Sequence, residues 1–247
     1  MNAVAKNDFT QALGELGQRL GRPRAILCVS AHWMTEGVWV TRMKNPRTIH
    51  DFHGFPKELF DVQYPAPGSR EIAELIQNTV SIPQIDADDE DWCLDHGTWS
   101  VLKHMYPAAD VPVVQVSLAM DEGPRFQFDL GAKLRPLRSQ GILILGSGNI
   151  VHNLRRLDWS ESAPDMPWAA QFDQWVKARI EAREFDSLIE DSTQSNEGKL
   201  AIPTWDHWYP LLTVLGASDP KDDLNWIYEG FQHGSISMRS FAFGPGK

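Results

Sequence analysis

The strongest constraint on the fold is a run of aliphatic residues, Ile142, Leu143, Ile144 and Leu145. It ends in Gly146, Ser147, Gly148 and Asn149, and His152 follows. A short, continuous apolar run bounded by turn residues predicts a strand buried on both faces. The small residues after it let the chain turn sharply and let another group approach the backbone. The pattern occurs twice: Arg24 to Ala31 is a second apolar run, and His32 and Trp33 follow it directly. Two such strands predict histidines at the carboxyl edge of an open α/β sheet, where ligands bind. The competing reading of each histidine is a residue that only caps a turn.

The rest of the chain supplies the layers around such a sheet. Phe9, Leu13, Leu16 and Leu20 recur at helical spacing and predict a helix over 8–20, closed by Gly21. Further helices are predicted over 69–80, over 100–106 (opened by Asp95 and His96 and ended by Pro107), and over 125–138, disturbed by Gly131 and Pro136. A long helix over 167–183 is followed by a short one over 185–188, and 203–212 carries His207 at a helix start. Strands are predicted at 37–41, 111–118, 227–231 and 235–243. Residues 48–56, dense in aromatics and histidine, and 64–68 are predicted loops. Asp86 to Asp91 is expected to be a solvated acidic loop and Asn196 to Gly198 a flexible turn. With no repeat or linker, the expectation is one α/β domain over residues 1–247, with a central, mostly parallel or mixed sheet flanked by helices.

Charge and cysteine content narrow the partners. Of the 247 residues 42% are hydrophobic, enough for a sizeable core. A formal net charge of -10 argues against nucleic acid, whose phosphates call for a basic surface. No run is long and apolar enough to span a bilayer. Two cysteines, Cys28 and Cys93, are too few for a disulfide framework, and no signal-peptide pattern opens the chain, so a cytoplasmic protein is expected. A monomer or small homo-oligomer is the expected state.

The eight histidines carry the functional argument. His32, His152 and His207 fall at strand or helix ends and can converge on one metal ion; the alternative is three separate core or surface histidines. Three protein ligands with open positions is the pattern of a catalytic rather than a structural metal. Asp95 could tune His96 for acid–base work, or simply cap the helix that follows. His50 and His53 lie, with Phe52, in an aromatic loop that could wall a pocket or merely pack. Trp33, Trp99, Trp205 and Trp208 flank the candidate histidines, and core packing is the default for each. His50, Phe52, Trp33, Asn153 and Tyr209 are the candidate substrate-binding residues. His104 and His233 have no supporting neighbours and read as surface or core residues.

Six motifs follow one another in order: Ser30-Ala31-His32-Trp33; His50-Asp51-Phe52 with Gly54-Phe55-Pro56; Tyr64-Pro65-Ala66-Pro67-Gly68; Asp95-His96-Gly97-Thr98-Trp99; Gly148-Asn149 with Val151-His152-Asn153-Leu154; and His207 with Tyr209-Pro210-Leu211. As an ordered set over nearly the whole chain they resemble the DOPA 4,5-dioxygenase branch of the LigB-type (class III) extradiol ring-cleaving dioxygenases. The resemblance implies a non-haem metal site at the carboxyl edge of the sheet. That site would bind a catechol such as DOPA through both hydroxyl oxygens and then O2, and insert both oxygen atoms next to the diol. His32 and His207 are implied metal ligands, His152 a further ligand or the acid–base histidine, and His96 a proton-transfer residue that steadies bound oxygen. Fe(II) is the redox-capable ion for this chemistry; Zn(II) suits an all-histidine site but cannot change oxidation state.

The chain departs from the family at its start. The family's first strand ends in His-Gly-Ser-Pro, whose histidine is a metal ligand, and Met1 to Ala3 match the residues just after that motif. The expectation is that this strand and ligand are missing and that sheet edges are left needing cover. Two other functions follow from the same residues. A zinc-dependent hydrolase would use the histidines to activate water and would want an acidic base beside the metal. A catalytically silent binding protein would follow from loss of the ligand.

Overall fold

Ala25–Ser30 (β1) is buried along its whole length, and the sheet is built around it. The structure, a computed structural model, describes residues 2–160 and 163–244. Asp8–Leu20 (α1) precedes β1, and Met34–Thr35 (β2) and Val38–Thr41 (β3) follow it. Then come Lys57–Phe60 (α2), Arg70–Thr79 (α3), Ile85–Asp88 (β4), His96–Met105 (α4), Val113–Gln115 (β5) and Leu118–Ala119 (β6). Pro124–Leu134 (α5) leads through a 3₁₀ segment, Arg135–Gln140, into Ile142–Ser147 (β7). Pro167–Glu181 (α6), Phe185–Glu190 (α7), Asn196–Ala201 (α8) and Tyr209–Ala217 (α9) precede the closing strands Asp223–Tyr228 (β8), Phe231–Gln232 (β9), Ile236–Ser237 (β10) and Ser240–Gly244 (β11).

The central sheet is parallel, in the order β5-β1-β7. Ala25 pairs with Ile142 and Ser30 with Ser147, so β1 and β7 end level and deliver His32 and His152 to the same rim. At the margins β3 pairs with β4 and β2 with β6, both parallel, while β8 and β11 form an antiparallel pair. Alternate side chains point to opposite faces, and each face has its own core. Ala25, Leu27, Val29 and Ile142 pack with α3, α5, α6 and α9, whereas Ile26 packs with α1 and α4 on the other side.

Close helix packing depends on two glycines. A Cβ on Gly131 of α5 would lie 2.0 Å from the Thr213 carbonyl oxygen of α9, and one on Gly216 would lie 1.9 Å from that of Phe128. Gly131→Ala is therefore expected to force α5 and α9 apart and to cost about 1–3 kcal/mol. A lower urea midpoint at unchanged slope would register the loss; an unshifted midpoint would refute it.

Local pattern misjudges several stretches. Asp86 to Asp91 is not simply a loop. Ile85–Asp88 is a strand beside β3, and the Asp88 carboxylate then turns the chain by accepting the N–H groups of Asp91 (2.8 Å) and Trp92 (2.7 Å). With only Ile85 and Ala87 apolar, a marginal strand has little hydrophobic signature. Asn196 to Gly198 begins α8, capped by Ser195 Oγ on the Gly198 N–H. The run 111–118 is interrupted at Val116 and Ser117, which turn aside to bond the carbonyls of Cys28 and Trp39. The helix predicted over 125–138 stops at Leu134 and tightens to 3₁₀ at Pro136, which has no N–H to continue it.

Candidate metal centre

Four histidines from distant segments meet at the carboxyl rim. His32 leaves the end of β1, His96 is the first residue of α4, His152 follows β7, and His207 lies just before α9. Ring centroids of His32 and His96 are 3.8 Å apart and those of His32 and His207 5.2 Å. His152 and His207 stack at 3.5 Å with planes 3° apart.

Backbone and buried polar contacts hold this arrangement. The Ser30 hydroxyl donates to Asp95 Oδ1 (2.8 Å), which also accepts the Thr98 N–H (2.9 Å), so β1 is tied to the cap of α4. Gln115 Nε2 donates to Asp95 Oδ2 at 2.7 Å and adds β5 to the same knot. Ser147 Oγ donates to the Gly97 carbonyl (2.7 Å), and the Asn149 N–H donates to that of His207 (3.0 Å). A Cβ on Gly97 would come within 2.9 Å of His32 Cδ2, and one on Gly148 within 2.4 Å of the His207 carbonyl oxygen. These are the close approaches that the small residues after each strand permit.

The carboxylate that reaches His96 is Asp51, not its neighbour Asp95, which is occupied as the helix cap. Asp51 Oδ1 accepts the His96 backbone N–H at 2.9 Å; Oδ2 lies 2.9 Å from His96 Nδ1 and 3.5 Å from His32 Nδ1. One donor atom each from His32, Asp51 and His96 fall within 4.8 Å of one another, which makes this group able to hold a metal ion. His96 Nδ1 is buried and, despite the nearby carboxylate, lacks a hydrogen bond of good geometry. That is the behaviour of a donor set arranged for a cation. Asp206 Oδ2 lies 2.7 Å from His207 Nδ1. When that nitrogen carries the proton, Nε2 keeps a free lone pair, the arrangement that orients a metal-binding histidine. Asp51 had a sequence signal, its place between His50 and Phe52, but nothing local distinguishes it from other loop aspartates.

Electrostatics keep the imidazoles of His32 and His152 neutral. Burial, helped by the neighbouring rings of His96 and His207, pushes His32 down to about 3. Burial and the His207 ring push His152 down to about 3 as well. Burial opposes ionisation of Asp206 and Asp51, yet the histidines beside them hold both carboxyls below the usual range. Neutral imidazole and ionised carboxylate are the forms that bind metals. For the metal-free protein the sign is fixed: between the ordinary value of 6.5 and about 3 the unfolded chain binds protons that folded His32 and His152 refuse. Stability therefore falls as pH drops through that window. Thermal unfolding between pH 7 and 4 should show a falling Tm, less steep in His152→Gln; equal slopes would contradict the assignment.

The other candidates are dispersed around this cluster. Phe52 meets the His96 ring edge-on at 5.2 Å, and His50 packs between Phe52 and Trp99 with Nε2 3.0 Å from the Val62 carbonyl oxygen. Trp33 is buried and stacks on Trp92 at 6.0 Å. Asn153 Nδ2 donates to the Leu200 carbonyl and Oδ1 accepts the Arg155 N–H. The Tyr209 hydroxyl donates to the Glu122 carbonyl (2.9 Å). His104 bonds the Asn2 carbonyl and His233 lies against Trp159 with its ring tilted by 51°, both away from the cluster.

Residues 3–244 match the family model described as the catalytic LigB subunit of aromatic ring-opening dioxygenase. The chain belongs to the LigB family. Among LigB relatives, the protein of Escherichia coli (strain K12) named 4,5-DOPA dioxygenase extradiol is 42% identical, over 99% of this chain and 91% of its own length. A Beta vulgaris protein of the same name is 35% identical, over 90% and 83%. A crystal structure of an uncharacterized protein from Escherichia coli K12 superposes with a TM-score of 0.85 at 38% identity, covering 96% of this chain and 93% of that one. The α/β fold and the ring-opening oxygenase class expected from the six motifs are thereby established for this LigB chain. Among the described residues no helix is long and apolar enough to cross a membrane.

Proposed function

We propose that this LigB protein opens the ring of a catechol such as DOPA by 4,5-extradiol cleavage with O2, at a single divalent metal ion. The observation that carries this reading is the meeting of His32, His96, His152 and His207 with Asp51 at one rim. The relatives' names supply the substrate class. Fe(II) is the ion for activity, and Zn(II) competes for the same donors. When bound, Fe(II) acidifies the catechol hydroxyls and brings O2 chemistry within reach of them.

The protein's own residues do the rest. His32 and His207 are ligands, and His152 completes an all-histidine set or, in its neutral form, takes the proton from a catechol hydroxyl. A second ligand set, His32, Asp51 and His96, is favoured by its convergent donor atoms and matches the two-histidine, one-carboxylate pattern of non-haem Fe(II) oxygenases. In the first set His96, steadied by Asp51, holds and returns a proton on the side of O2. Phe52, with His50 behind it, walls the flat ring, while Trp33, Asn153 and Tyr209 brace the site through the contacts they already make. The protein works in the cytoplasm, as a monomer or small homo-oligomer, without nucleic acid or membrane partners.

The deciding assay loads the protein with Fe(II) anaerobically, adds DOPA and then admits air. A yellow, ring-opened product with matching O2 uptake is expected. Failure with DOPA and other catechols, in protein shown to hold iron, overturns the reading; oxygen-independent turnover would point instead to a hydrolase.

A further inference from the structure

No step of the proposed ring cleavage uses the Asp95 carboxyl. It is 0% exposed, as are Ser30 and Gln115, which bond it. Both of its oxygens accept. Oδ1 takes the Ser30 hydroxyl and the Thr98 N–H, and Oδ2 takes Gln115 Nε2 at 2.7 Å and Trp92 Nε1 at 3.2 Å. Four donors aimed at one carboxyl is the environment of an ionised group. Yet no lysine or arginine pairs with it among the described residues, and a charge that does bear on it is another anion, Asp51. Burial pushes this carboxyl up from its ordinary value, against the pull of Gln115, Thr98 and Ser30. A helix cap does not need such a group: asparagine and serine cap as well as aspartate does, with no charge to bury.

The place of Asp95 in the fold supplies a reason. Ser30 Oγ, which donates to it, accepts the His32 backbone N–H at 3.3 Å. On the other side Asp95 directly precedes His96, and its own N–H donates to Gln115 Oε1 at 3.3 Å. One glutamine on β5 therefore holds residue 95 by both backbone and side chain. There is no slack between these groups. A Cβ placed on Gly97 would lie 2.5 Å from Ser30 Oγ, 2.9 Å from His32 Cδ2 and 3.2 Å from Asp95 Oδ1. The same knot thus reaches His32 and His96, whose rings stand 3.8 Å apart.

We infer that Asp95 is a positioning residue for the metal centre: its carboxylate, gripped at Oδ2 by Gln115, fixes the ends of β1 and α4 so that His32 and His96 are held at one separation. The inference deepens the proposed function and rests on it, because it takes these histidines to serve a metal site. A divalent cation held by the cluster would also supply the positive charge that a buried, unpaired anion lacks. The specific requirement is that Oδ2 accept. An amide at residue 95 would set its NH2 against Gln115 and Trp92 in one orientation and against the Thr98 N–H in the other. Gln115 cannot turn over to suit it, because its oxygen already accepts the residue 95 N–H. Moving the carboxylate across the bond restores the match. With Asp95→Asn and Gln115→Glu together, the NH2 at 95 can donate to the carboxylate at 115, whose second oxygen still accepts the residue 95 N–H.

The test compares four proteins: the unaltered chain; Asp95→Asn; Gln115→Leu, which removes the Oδ2 donor and leaves the cap in place; and Asp95→Asn combined with Gln115→Glu. Co(II) alone is titrated into each folded, metal-free protein, and its affinity and visible absorption bands are recorded. Each single variant should weaken Co(II) binding by about 10–100-fold and change the bands, which report ligand geometry. The double variant should recover most of the affinity and the original bands. Unchanged affinity and bands in either single variant, or no recovery in the double, overturns the inference and leaves Asp95 as a cap alone. Should Asp95→Asn fail to fold, Gln115→Leu decides by the same readings. No catechol or O2 enters the titration. The expected Co(II) pattern in protein that opens no catechol would therefore uphold the inference while the proposed ring cleavage fails; no Co(II) binding by the unaltered chain would end both.

Discussion

His32→Ala should empty the metal site and lower ring cleavage by at least about 10³-fold. His32 is common to both ligand sets, and its ring adjoins those of His96 and His207 and lies within 3.5 Å of Asp51. The fold should survive, because the variant removes a ring whose burial opposes protonation and leaves the Ser30–Asp95 knot intact. Iron content by elemental analysis and O2 uptake with DOPA read the two effects separately. His207→Ala and Asp51→Asn then divide the ligand sets. If His207 is a ligand, its variant loses metal, while Asp51→Asn keeps it and loses about 10–100-fold in activity as an orienting residue. If Asp51 is a ligand, the metal losses are reversed. His32→Ala protein with full iron and full turnover would end the proposal that this cluster is the metal site.

Arg239→Leu should be the most destabilising substitution away from the site, costing about 3–5 kcal/mol. Arg239 and Asp173 form an ion pair with side chains 5% exposed each, and Ser237 Oγ donates to the other Asp173 oxygen at 2.6 Å. Arg239 Nη1 also lies 3.0 Å from Glu229 Oε2, and its guanidinium covers the Trp226 ring at 5.1 Å. The pair fastens α6 to the β10–β11 corner. Removing the cation alone strands a buried carboxylate, which is why one partner's loss is costly. Removing both charges is cheaper, so Asp173→Leu combined with Arg239→Leu should recover much of the stability. Equilibrium urea unfolding measures all three; a single variant no weaker than the double would show that the pair is not what holds this corner.

Much of this molecule could be read locally. The apolar runs that became β1 and β7, the amphipathic spacing of α1, α3 and α6, and the histidines placed just past strand ends all follow from short-range rules. Burial of a continuous apolar run, helical periodicity and turn chemistry act within a few residues. Other features had no local signature. β4 was hidden in an acidic stretch because a marginal strand needs few apolar side chains. α8 was hidden in a short turn-like segment whose Ser195 cap shows only in the folded chain.

What tertiary structure alone decided is which groups share space. Asp95 adjoins His96 in the chain, yet Asp51, 45 residues away, holds it, because capping α4 already occupies the Asp95 carboxylate. Likewise, sequence placed His207 near a helix start, but only packing of α9 against β7 set its ring on His152. A groove of about 380 Å³ beside β7 had no local signature. Its position between β7 and β11, with a core on each face, depends on how distant segments close around the sheet. Short-range propensities specify elements; the site and the groove arise from contacts between residues far apart along the chain.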